Sequence, residues 1–60
     1  MRPEDYVKAA LIADADPDRL LDELALIIGR GEALVMIEEA HRDIDRRGLL
    51  GPLWRNEDNG

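Results

Sequence analysis

Leu20, Leu21, Leu24, Ile27 and Ile28 recur at steps of one, three and four residues, which is the spacing of one helical stripe. A helix cannot bury such a stripe by itself, so the rest of the chain must supply further apolar helical faces to cover it. Asp16 is a good N-cap and Pro17 suits the first helical position, where the missing N–H is not needed. Asp18, Arg19, Asp22 and Glu23 fill the polar side of the first turns. Leu26 falls outside the stripe, so the second half of this helix is apolar nearly all round and is expected to meet more than one neighbour. Gly29-Arg30-Gly31 then stops it and predicts a tight αα-hairpin.

The flanking segments fit the same plan. Pro3, Glu4 and Asp5 open a first helix in which Tyr6, Val7, Ala10 and Leu11 form a short stripe, and the Asp14-Ala15-Asp16-Pro17 run ends it. A third helix places Leu34, Ile37, His41 and Ile44 on one stripe, widened by Val35, Met36 and Ala40. It closes with Arg42, Arg46 and Arg47 before Gly48. The expected fold is all-α: a two- to three-helix bundle built on an antiparallel αα-hairpin. Its helices cover about residues 3–13, 17–29 and 32–47, and an apolar turn segment over 49–54 completes one helical domain, 1–54, before a disordered acidic tail, 55–60.

Size limits how stable such a bundle is. A 60-residue chain buries only about 60% of the surface its unfolded form exposes. With no cysteine and one histidine, neither disulfides nor an ordinary structural zinc site can compensate. Self-association remains, and the expected form is a homodimer in which two hairpins make a four-helix bundle. A net charge of −6, from 14 acidic and eight basic residues, repels phosphate backbones, so no direct nucleic acid binding is expected. No apolar run exceeds about six residues, the best being Leu24 to Ile28, and that is far too short to span a bilayer, which needs about 20 residues. The first residues, with Arg2, Glu4 and Asp5, lack the hydrophobic stretch of a signal peptide, so a cytoplasmic protein is expected.

Chemistry-bearing constellations are few. Ser, Thr and Cys are absent, which removes hydroxyl and thiol nucleophiles, and no enzymatic activity or cofactor is expected. Glu38 and His41 make a Glu-x-x-His step, the spacing used by carboxylate-bridged di-iron sites in ferritin-like bundles. A hairpin turning at Arg30 would bring Glu23 level with Glu38, so Glu23, Glu38 and His41 are the metal candidates of an alternative metal-binding four-helix dimer. The competing reading is a boundary histidine bonded to Asp45 or Glu38.

Leu24, Ala25, Gly29 and Val35 also match the apolar, small, turn and buried positions of a helix-turn-helix, a second alternative. Its recognition helix would carry Glu32, Glu38 and Glu39, where reading base edges calls for Arg, Lys, Asn or Gln. Ala40-His41 matches phosphotransfer domains over two residues only, and Asp43, Ile44 and Asp45 stand where Lys and Gly usually follow. The run from Met36 to Leu49, ending Arg46-Arg47-Gly48-Leu49, resembles the second helix of small bacterial antikinase hairpins. That resemblance implies action by packing on the dimerisation helices of a sensor kinase.

The reading that needs no special residues is a small acidic protein-interaction module: an inhibitor, adaptor, docking module or antitoxin-like regulator that binds a protein partner through its helices. Leu26, Ile27, Val35, Met36, Leu50, Leu53 and Trp54 are the candidate partner-binding residues. For Trp54 two roles are open. Either it anchors the C-terminal segment on this protein's own helices, or it is an exposed hot spot.

Overall fold

A computed structural model of the chain describes residues 2–55. It contains three helices, α1 (Pro3–Ile12), α2 (Pro17–Ile28) and α3 (Arg30–Arg47), and no strand among the described residues. The long helix α3 packs along both others, whereas α1 and α2 touch only lightly. Tyr6 meets Glu23 and Pro3 lies near Ile27, so α1 and α2 run in opposite directions. Lys8 meets Asp43 and Leu11 meets Gly51, so α1 and α3 run the same way.

The helix ends follow from local chemistry. Asp16 caps α2 by accepting the Asp18 N–H at 3.1 Å, and Pro17 sits in the first turn. Gly29 alone joins α2 to α3: its N–H donates to the Ala25 carbonyl, and its own carbonyl accepts from the Ala33 N–H. Its φ of 92° and ψ of 151° are essentially closed to any residue with a Cβ. The expected three-residue turn is therefore one residue long, and Arg30 and Gly31 belong to α3. Both α1 and α3 close in the same way. Ala15 N–H donates to Ala10 O and Asp14 N–H to Leu11 O; Leu49 N–H donates to Ile44 O and Gly48 N–H to Asp45 O. This is the Schellman pattern, with Asp14 at φ 63° and Gly48 at φ 71° in the left-handed position.

The core consists of Val7 and Leu11 from α1, Leu20 and Leu24 from α2, Ala33, Ala40 and Ile44 from α3, and Leu50 and Trp54 beyond it. Two expected stripes are thereby corrected. On α3 the buried line runs through Ala33, Ile37, Ala40 and Ile44, and Leu34 is turned half out. Small side chains win these positions because α3 has helices on two sides and a bare Cβ lets their backbones come close. On α2, Ile27 leaves the stripe and stands in solvent.

The C-terminal segment folds back as a strap over the α1–α2 turn. Gly51 N–H donates to Leu11 O at 3.2 Å, Leu53 N–H to Asp14 Oδ1 at 2.6 Å, and the Trp54 indole N–H to Ala15 O at 2.7 Å. Trp54 O accepts from His41 Nε2 at 2.9 Å, so the histidine is bonded to neither Asp45 nor Glu38. Arg55, expected to begin the disordered tail, instead closes the strap: its N–H reaches Gly51 O and its guanidinium Leu50 O. The rest of that expectation, residues 56–60, lies outside the described residues.

The two glycines at 31 and 51 should respond oppositely to alanine. A Cβ on Gly51 would lie 2.5 Å from Asp14 Cβ, whereas one on Gly31 meets nothing within 4 Å. Thermal melts of Gly51→Ala are expected to show a loss of about 1–3 kcal/mol as the strap is pushed off the turn. Gly31→Ala is expected to gain up to about 1 kcal/mol from helix propensity. Equal melting temperatures would contradict the strap's close approach.

Candidate interaction surface

The seven residues proposed from sequence divide by burial. Leu50 and Trp54 lie in the core, so they are not available to a partner on the folded chain. Met36 is partly buried against that core. Leu26, Ile27, Val35 and Leu53 are exposed, at 88%, 70%, 54% and 58% of full accessibility. Leu26 and Ile27 are consecutive in the last turn of α2. Scattered exposed aliphatics are ordinary on a protein surface; Ile27 stands out because it also lines a cleft, with the still more exposed Leu26 next to it in sequence.

That cleft lies between the start of α1 and the end of α2. It has a volume of about 300 Å³ and a mainly apolar lining to which Pro3, Tyr6, Leu24 and Ile27 contribute. At its polar edge the Tyr6 hydroxyl donates to Glu23 Oε1 at 2.9 Å, and Arg19 sits 3.5 Å from the other oxygen. The hydrogen bond to Glu23, reinforced by that carboxylate's charge, raises the Tyr6 phenol above its ordinary value. Glu23 is thereby turned toward α1.

The metal candidates are consequently not brought together. Glu23 serves Tyr6, His41 serves the Trp54 carbonyl, and Glu38 is exposed. Among the described residues no three His, Asp or Glu side chains converge as a metal would need. Nor is any helix among them long and apolar enough to cross a membrane.

A second cleft, of about 200 Å³, runs between α1 and α3. Val35, Met36 and Ala40 contribute its apolar part, and Glu4, Glu32, Glu39 and Asp43 its acidic part. Lys8 is its cation, 3.3 Å from Asp43 Oδ2, with Arg47 at 3.6 Å from the same oxygen. That oxygen is out of contact with water and has no well-aligned hydrogen bond, so charge is what holds it. The Lys8 ammonium lowers the Asp43 carboxyl below the ordinary aspartate value. Partial desolvation opposes the shift, and Arg47 and Arg46 add to it.

Sequence reasoning did not find Asp14, Ala15 or Gly51 as strap contacts, nor the Tyr6–Glu23 pair. A lone signal existed for the first, since an Asp just after a helix, two residues before Asp16-Pro17, is a residue type that tolerates left-handed backbone. The sequence matches no protein-family model, no curated protein and no solved structure. The likeness of residues 36–49 to antikinase hairpins accordingly has no family match behind it.

The Asp43 pair generates a pH prediction. A carboxyl whose folded value is depressed adds stability above its unfolded value, and that stability is lost as pH falls through the folded value. Carboxyl NMR titration is expected to place Asp43 below the ordinary aspartate value and to return it upward in Lys8→Gln. An unmoved titration in that variant would mean that Lys8 does not hold Asp43.

Proposed function

We propose that the protein is a small acidic interaction module that binds another protein chain through exposed aliphatic side chains on its helices. The observation that carries this reading is the pair Leu26 and Ile27, 88% and 70% exposed on a helix whose other large apolar side chains are buried or partly buried. The neighbouring cleft, with Pro3 and Tyr6 on its wall, would accept an aliphatic or aromatic anchor from the partner. The absence of Ser, Thr and Cys, with the Tyr6 hydroxyl bonded to Glu23, favours binding over chemistry as the protein's task. A second copy of the chain is one form of this reading. The homodimer would then form through the same α2 residues, because α1 and the strap already cover the core of the α2–α3 pair.

The test is the double variant Leu26→Gln/Ile27→Gln, which keeps the net charge and good helix formers. Being exposed, the pair is expected to change stability by no more than about 0.5 kcal/mol. Affinity capture from the organism that makes the protein, followed by titration with the recovered protein, is expected to show binding weakened by at least about 2 kcal/mol in the variant. Light scattering of the wild type and the variant identifies the case in which the partner is a second copy. A variant that binds all that the wild type binds, with the same affinity and the same mass in solution, would refute the proposal.

A further inference from the structure

We propose that the α1/α3 cleft is a docking groove for a basic amphipathic helix, which would lie along α1 and α3 as a fourth helix. This rests on the reading that the protein works by binding another chain, and it adds the chemistry of the partner and a second surface for it. Two helices running in the same direction bound the groove, and a further helix packs naturally into the furrow between such a pair. Its apolar part, Val35, Met36 and Ala40, has room for one or two aliphatic side chains.

The acidic part argues for a cationic occupant. Glu32, Glu39 and Asp43 follow one another at seven and four residues, so they share one stripe of α3, and like charges four apart repel. Only Asp43 of the three has an ion-pair partner among the described residues. Glu4 adds a fourth carboxylate from α1, engaged among the described residues only by Arg2 at 3.4 Å in a pair that solvent largely screens. Lysine or arginine flanking an apolar anchor would relieve this repulsion while the anchor covers Val35 and Met36. The competing occupant is a second copy, whose Arg42 and Arg46 could approach the same carboxylates, but it would bring its net charge of −6 with it.

The experiment uses the full chain and three labelled peptides: an amphipathic helix of Leu and Lys, a shuffled peptide of the same composition, and an amphipathic helix of Leu and Glu. Fluorescence anisotropy is expected to report one-to-one binding of the first alone, weakening as salt rises. Amide shifts should cluster on residues 4–8 and 32–43. Glu32→Gln/Glu39→Gln and, separately, the exposed Val35→Gln are each expected to weaken binding at least about tenfold with the melting temperature retained. Leu26→Gln/Ile27→Gln should leave peptide binding unchanged.

Equal binding of the shuffled peptide, shifts elsewhere, unchanged affinity in the groove variants, or self-association that displaces the peptide would each overturn the groove. If the groove fails while Leu26→Gln/Ile27→Gln still loses the captured partner, the interaction module stands without it. If that variant loses nothing, the module reading fails independently of the peptide result.

Discussion

Three hydrogen bonds tie the strap to the α1–α2 turn, and the packing of the core depends on them. They run from the Gly51 and Leu53 amides and the Trp54 indole to Leu11 O, Asp14 Oδ1 and Ala15 O. All three acceptors lie at or just beyond the end of α1, the shortest of the three helices. Val7 and Leu11 are its only fully buried side chains, too few to hold ten residues of helix by themselves. With the strap in place, Leu50 and the indole close the core from the side that α1 and α2 leave open. A Trp buries some 150–250 Å², so this one residue contributes a large share of the apolar surface removed from water.

The same economy explains the surface. A buried line on α3 containing two alanines lets α1 and α2 sit close but takes up little volume, so the larger side chains beside it are displaced outward. Leu34 and Val35, beside that line on α3, are half exposed. Charge is distributed on the same principle. Glu4, Glu32, Glu39 and Asp43 line the furrow between α1 and α3, where Arg2, Lys8 and Arg47 are the cations paired with them among the described residues.

The helical plan was legible in the sequence because it rests on local chemistry. Asp16-Pro17 and Gly48 carry their capping roles in their residue types. The interior was legible only in part. Periodicity weights large side chains, so it selected Leu34 and Ile27 over Ala33, whereas helix–helix distance decides in favour of the alanine. Gly29-Arg30-Gly31 could turn at either glycine, and only tertiary packing selects the first. The partners of His41, Asp14 and Trp54 lie 13 and 39 residues away in sequence. No local pattern encodes such contacts. The metal candidates are not brought together within one chain for a related reason: a level pairing of Glu23 with Glu38 presumes a turn at Arg30, whereas the turn is at Gly29 and Tyr6 takes Glu23.

Whether the strap is integral to the fold is directly measurable. Native-state hydrogen exchange followed by NMR reads the Trp54 indole N–H and the Leu53 amide beside the core amides of Leu24 and Ile44. Groups that open only on global unfolding exchange with one common free energy. The strap protons are expected to share the protection of the core amides, and all four should lose it together as denaturant is raised. Strap protons that exchange at the rate of an open chain, while Leu24 and Ile44 remain protected, would show that α1 and the α2–α3 pair hold together without the strap.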